Sequence, residues 1–264
     1  MPRTAPVPIL PLLRALLLLL LAGAAAWVAH GRTLRYFGIL APDRVIRVDA
    51  FPGLSGIAYW PEKGTLVGVS ARGGVAELSL EGKVQRKRIH ERQRFEDVAL
   101  QESTGQALIV DAQDGQLDIV RLADFEIVAR SPLPPGGPIS ALALHGLPPG
   151  LAIGRSFPPS LSLYRPDSKA PPLTLLLGSE SLAGVLAGPD GEFLLASREN
   201  GLMLVKSDGS AVGGWWKPLQ ASRVTGAALV PGVGLLVCAD GDPGRLLVFS
   251  SIKNWQDLRH ALSS

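Results

Sequence analysis

Short apolar runs broken by glycine-containing turns follow one another from residue 54 to residue 249, and one of them recurs. Leu54-Ser55-Gly56-Ile57-Ala58-Tyr59 returns as Phe95-Glu96-Asp97-Val98-Ala99-Leu100 and as Ile139-Ser140-Ala141-Leu142-Ala143-Leu144. It returns again as Leu182-Ala183-Gly184-Val185-Leu186-Ala187 and Val224-Thr225-Gly226-Ala227-Ala228-Leu229. From Gly56 through Asp97, Ala141 and Gly184 to Gly226 the steps are 41, 44, 43 and 42 residues, the period of a propeller blade or a solenoid unit.

Within the first period the runs are 54–60, 65–70, 75–80 and 84–90, too short for helices and separated by Gly turns. Four short antiparallel strands per repeat make a propeller blade. The second period gives 98–101, 107–111, 116–122 and 125–130; the third gives 139–145, 151–155, 161–164 and 173–177; the fourth gives 185–187, 193–197, 202–206 and 211–216. The fifth supplies 227–230, 235–239 and 245–249 and then runs out of strands. Arg44-Val45-Ile46-Arg47-Val48 alternates at period two ahead of the first blade and belongs to none. A ring must close to abolish its exposed edges, so this segment is expected to pair with 245–249 as the missing outer strand. The fold predicted is all-β, a β-propeller of five blades in preference to six, over residues 43–250. Ile252, Trp255, Leu258 and Leu262 have helical spacing, so residues 251–264 are expected to form a short amphipathic helix.

Residues 1–30 read differently. Positions 7–29 are apolar apart from Arg14, long enough to cross a bilayer if that arginine snorkels, and Trp27, Arg32, Arg35 and Tyr36 make an interfacial border. An uncleaved N-terminal transmembrane helix is expected, in preference to a cleaved signal peptide ending near Ala24-Ala25-Ala26, with residues 31–42 as a linker. The propeller would then stand on the periplasmic side of the cytoplasmic membrane.

Composition narrows the chemistry. Glycine at 30 and proline at 22 suit many tight turns, and the net charge of +3 falls to about +1 once Arg3 and Arg14 of the leader are set aside. Near neutrality argues against a nucleic-acid partner. The single cysteine, Cys238, allows no intrachain disulfide and lies in an apolar run.

Leu54 to Tyr59, the strand Gly64 to Ser70 and the stretch Val75 to Val84 resemble the SdiA-regulated (YjiK-like) family of bacterial propellers, and Phe95 to Leu100 is similar to that family's second copy with Asp97 in place of glycine. The resemblance covers about residues 43–130. It implies a propeller, one N-terminal membrane segment, and no settled activity.

Propellers bind ligands at a mouth of the central channel. Ahead of each Gly-like position stand Ser55, Glu96, Ser140, Ala183 and Thr225, and six residues after the glycines at 64, 105, 150, 191 and 234 come Ser70, Asp111, Ser156, Ser197 and Asp240. This polar ring is the candidate ligand site. Glu96, Asp111 and Asp240 could hold a hard cation such as Ca²⁺, while Arg72, Arg155 and Arg198 could instead make an anion site. The same Ser and Asp residues also suit plain turn-making at strand ends. The functions carried forward are a ligand-binding module taking a small molecule, an interaction module for an envelope protein, a divalent-metal-dependent hydrolase of lactonase or phosphoesterase type, and a structural scaffold. No histidine falls in the ring, which removes the usual general base.

Overall fold

The computed structural model describes residues 38–146, 150–165, 171–177, 181–239 and 243–263. The leader of residues 7–29 and Asp240 lie outside them. Among the described residues no helix is long and apolar enough to cross a membrane.

Five antiparallel sheets surround an axis. The first blade is β3 (Leu54–Trp60), β4 (Thr65–Ser70), β5 (Gly74–Leu78) and β6 (Val84–Ile89), in that order from the axis outward. The second is β7 (Phe95–Gln101), β8 (Gln106–Asp111), β9 (Gln116–Arg121) and β10 (Glu126–Pro132). The third is β11 (Ile139–His145), β12 (Gly150–Ser156), β13 (Pro159–Tyr164) and β14 (Leu173–Leu176). The fourth has three strands, β15 (Leu182–Ala187), β16 (Glu192–Ser197) and β17 (Gly201–Lys206). The fifth is β19 (Val224–Val230), β20 (Gly234–Ala239) and β21 (Gly244–Phe249), completed from outside by β2 (Arg44–Val48). The innermost strands β3, β7, β11, β15 and β19 pack against one another around the axis.

The second strands are buried along nearly their whole length, because neighbouring blades cover both faces, and so they read as unbroken apolar runs. Outer strands face water: β6, Val-Gln-Arg-Lys-Arg-Ile, is exposed at four of six positions. Its charges guard an edge that would otherwise template strand addition, and they also tie blades together. Arg86 donates to Glu77 Oε2 at 2.6 Å and to the Leu122 carbonyl at 2.6 Å, and its guanidinium lies 4.2 Å from the Phe125 ring centroid.

Ring closure follows the expectation. β2 pairs antiparallel with β21, Arg44 opposite Val248 and Val48 opposite Gly244. Blade four departs from it. The strand expected over 211–216 is reduced to two isolated bridges, Ala211 to Val205 and Trp216 to Leu202. The chain leaves the sheet at Gly213-Gly214; Gly213 has φ 100°, and a Cβ there would lie 2.2 Å from the Leu262 carbonyl oxygen.

That carbonyl belongs to α1 (Trp255–Ser263), which packs at this break in blade four and buries Trp255, Leu258, Ala261 and Leu262. Asn254 caps it, its side-chain oxygen accepting the Asp257 amide at 2.9 Å. Trp216 donates its indole N–H to Leu262 at 2.9 Å, and the buried Glu192 accepts from the Trp255 indole at 2.6 Å and from Arg259 at 2.9 Å. Beside it β1 (Ile39–Leu40), inside the stretch expected to be a linker, runs parallel to β18 (Lys217–Pro218).

Candidate functional site

Each of the five innermost strands carries a register shift at the repeated motif: Leu54 to Gly56, Phe95 to Val98, Ile139 to Ala141, Leu182 to Gly184 and Val224 to Gly226. A bulge adds a residue and re-aims the backbone on both sides of it. Here it falls at one height all round the axis, where the strands come closest. A Cβ on Gly184 would lie 2.8 Å from the Gly226 Cα, and one on Gly56 would lie 2.8 Å from the Asp97 Cα and 2.7 Å from its Oδ1. Glycine is what permits this approach.

Asp97 is the exception at this level. Its carboxylate accepts the amide of Val98 at 2.9 Å through Oδ1 and that of Leu142 at 2.9 Å through Oδ2, and the Val185 amide also bonds to it. One side chain thereby ties blades two, three and four. Burial pushes its pKa well above the ordinary carboxylate range, against the pull of those three amides and with a smaller push from Glu96.

The mouth at the start of the innermost strands is polar, and its groups are partnered. Glu96, 7 % exposed, bonds Arg94 at 3.1 Å through Oε1 and Arg198 through Oε2. Arg198 follows β16, so this ion pair links blade four to the non-adjacent blade two. Ser55 donates to the Phe95 carbonyl at 2.7 Å and Ser140 to the Leu182 carbonyl at 2.6 Å, each stapling its blade to the next. Thr225 lies 3.5 Å from the Cys238 carbonyl. At the second-strand ends, Ser70 donates to Pro52 and accepts the Arg72 amide, Asp111 Oδ1 accepts the amides of Arg94 and Gln113, and Ser197 accepts those of Glu199 and Asn200. Ser156 is half-buried. Arg155 is spent on a proline-rich connector, donating to the carbonyls of Gly137, Pro134 and Pro135. Of the three residues considered for a cation, Glu96 faces two guanidinium groups, Asp111 keeps Oδ2 buried without a hydrogen bond, and Asp240 lies outside the described residues. Among the described residues no three His, Cys, Asp or Glu side chains converge in a way that could hold a metal.

The other end of the axis is open and different in kind. A cavity of about 240 Å³ is walled by the residues that follow the bulges, among them Ile57, Val98, Leu142, Val185 and Ala227, and by Leu100, Leu144 and Leu229 nearer the mouth. Tyr59 and Glu102 are the polar residues of its lining, and more of its exposed wall is polar than apolar, backbone groups of the innermost strands included. Asp97, which bonds the amides of Val98, Leu142 and Val185, is tied to three of the residues that line this cavity.

The cavity, the tie that Asp97 makes between three blades, Glu192 under α1 and a buried Asp118 on β9 were not singled out by sequence reasoning. For Asp97 there was a signal: an acid where the other four copies have Gly or Ala. For Asp118, which stands alone in an apolar run, there was also one. It is fully buried, burial raises its pKa to about 6 against the opposing charge of Arg130, and its oxygens make no hydrogen bond, Arg130 approaching Oδ1 at 3.5 Å.

Neither a protein-family model nor a curated protein matches the chain. The crystal structure of glutaminyl cyclase from Myxococcus xanthus is similar, with a TM-score of 0.62 and 14 % sequence identity, over 80 % of this chain and 97 % of that one. The likeness is one of fold. A five-bladed ring spanning nearly the whole of that structure accounts for it.

Proposed function

We propose that this protein is a ligand-binding propeller held at the outer face of the cytoplasmic membrane by its N-terminal segment, and that its ligand enters the open end of the axis. The observation that carries the reading is the asymmetry of the channel: a tie across three blades at Asp97, a polar mouth whose side chains are engaged with one another, and on the far side an open cavity walled by aliphatic residues and by backbone groups of the innermost strands. Concave, mostly apolar pockets with a few polar groups are where small molecules bind. The resemblance of residues 43–130 to the SdiA-regulated propellers and the apolar leader support the membrane location. Hydrolysis at the polar mouth is less well supported, because a Ca²⁺ ion there would compete with Arg94 and Arg198 for Glu96.

Methyl-labelled protein titrated with 1-hexanol tests the cavity. The resonances of Ile57, Leu142 and Val185 are expected to shift, and Ala227→Phe, which fills the space, should abolish the shift. An absence of shifts at saturating alcohol would remove the cavity as a ligand site.

A further inference from the structure

Resting on the reading of residues 7–29 as a membrane anchor, we infer that the outer corner of blade three, built from Phe157, Leu173 and Leu176, lies against the lipid surface. Outer strands face water, and three of them carry charge: Arg86, Lys87 and Arg88 on β6, Glu126 and Arg130 on β10, Arg44 and Arg47 on β2. The outermost strand of blade three, β14, is Leu-Thr-Leu-Leu and carries none. Charge is the usual guard of an open edge, and this edge lacks it. Side chains alternate across the strand. Leu175 turns into the core shared with blade four, Leu173 on the same face is 53 % exposed, and Leu176 on the opposite face is 78 % exposed. Leu176 stands opposite Ser160, and the Leu177 amide bonds the Pro159 carbonyl at 3.1 Å. This end of β14 therefore lies beside the turn between β12 and β13, where Phe157 is 75 % exposed. Apolar surface gathered in one place marks a contact with a partner or a membrane.

The point where the chain enters the propeller favours the membrane. Gly38 is the first described residue; its carbonyl accepts the Lys217 amide at 2.7 Å, and a Cβ on it would lie 2.8 Å from the Trp215 carbonyl oxygen. Trp215 packs against the core cluster between blades three and four, to which Leu175 of β14 belongs. A Cβ on Gly209, a few residues ahead of Trp215, would lie 3.3 Å from Leu175 Cδ2. The entry point therefore lies at the groove of which β14 is one wall. Only residues 30–37 separate it from the apolar leader, and a stretch of that length reaches roughly 28 Å at ~3.3–3.6 Å per residue. A bilayer crossed by residues 7–29 is thereby held on the side of blades three and four, and the apolar corner is what this side offers it. Blade one, across the ring, presents Arg86, Lys87 and Arg88 instead. Apolar side chains that enter the headgroup region seat a protein on a bilayer surface.

Full-length protein reconstituted in phosphatidylcholine nanodiscs, with and without lipids bearing a nitroxide at the headgroup or at mid-chain, tests this. Cys238 is fully buried, so a maleimide dye goes to a cysteine introduced at the surface. Dyes at Phe157→Cys, Leu173→Cys and Leu176→Cys should lose fluorescence when the lipid carries the headgroup nitroxide. A dye at Leu18→Cys in the leader should lose it to the mid-chain nitroxide, and one at Ile89→Cys, equally exposed but on blade one, should respond to neither. Phe157→Asp combined with Leu176→Asp should abolish the loss at Leu173→Cys. Quenching at Leu18→Cys with the three corner dyes no more affected than Ile89→Cys would overturn the inference and leave the anchor standing. No quenching at Leu18→Cys would overturn the anchor itself. Corner dyes that quench one another as more copies enter each disc, whatever the lipid, would assign the corner to a second copy of the chain and overturn the lipid contact.

Discussion

Asp97 stands where the other four blades have Gly56, Ala141, Gly184 and Gly226, and a charged side chain at the narrowest point of a ring calls for a physical reason. The bulges turn amides toward the axis, where no strand can pair them, and an orphaned buried amide costs about 1–3 kcal/mol. The Asp97 carboxyl satisfies three at once, although burial still outweighs those bonds and holds its pKa well above the ordinary range. Asp97→Ala should therefore destabilise the propeller by about 2 kcal/mol, several amides orphaned less the carboxylate burial relieved. In a thermal melt that is a fall of roughly 4–8 °C for a domain of this size; a midpoint at or above the parent's would show that the carboxylate does not hold the blades. Asp118 accepts no backbone amide, and only the charge of Arg130 opposes its burial. Unfolded, it titrates near 3.8; folded, near 6. Between those values the folded protein keeps a proton the unfolded chain releases, so the stability linked to this group is complete below 3.8 and lost as pH rises through 6. The gap corresponds to up to about 3 kcal/mol at ~1.36 kcal/mol per pH unit. Asp118→Val should be more stable than the parent at pH 7 and little different near pH 4, read from urea midpoints at both. An equal difference at the two pH values would mean that the carboxyl's ionisation is not what costs stability. Sequence exposed the polar positions of the candidate ring without the direction their atoms take. Ser55 and Ser140 are buried, and each hydroxyl turns sideways to a carbonyl of the next blade, because the bulge that creates the position also brings that carbonyl within reach.

At the scale of elements, most of the fold was legible, for a reason that also explains the exceptions. Blades repeat because each must bury two faces against neighbours, so period and apolar run length survive where individual residues vary. β2 was readable as a stray alternating segment that a closed ring had to use. The fourth strand of blade four is interrupted because 211–216, Ala-Val-Gly-Gly-Trp-Trp, has the composition of a strand with a turn inside it, and only its two ends pair with β17. What decides its path is α1, whose Leu262 carbonyl occupies the space beside Gly213 and takes the Trp216 indole. Helical spacing in residues 252–262 foretold the helix but not its docking site, since that depends on Glu192, a buried acid sixty residues earlier in a run that reads as ordinary strand. The cavity escaped notice for a similar reason: its lining residues are the packing residues of five separate strands, and only closing the ring makes them one surface.

The propeller is a closed ring, and its seam joins the first strand of the propeller, β2, to its last, β21. β2 supplies the outer strand of blade five, buries Ile46 and Val48 between blades five and one beside Phe51, Leu54 and Leu246, and is anchored by Asp43, whose Oδ2 accepts from the Ser250 amide at 2.6 Å and its hydroxyl at 2.7 Å. Blade one also leans on it: a Cβ on Gly82 would lie 2.6 Å from Ile46 Cγ2, so this turn packs directly on the closing strand. Removing residues 43–49 would strip the ladder from β21, expose an apolar edge and leave the core between two blades open. Exposed edges of that kind pair with other chains. The deletion should leave the protein aggregated or without a cooperative melt, measured by light scattering alongside calorimetry. A milder variant separates closure from lost bulk: Ile46→Ala should retain a cooperative transition lowered by about 2–5 kcal/mol, as for other large-to-small core changes. An unchanged melt after the deletion would mean that the ring stands without its closing strand. Because innermost strands from all five blades wall the cavity, a ring opened at this seam should also lose the hexanol response, whereas Ile46→Ala, distant from the axis, should keep it at temperatures below its midpoint.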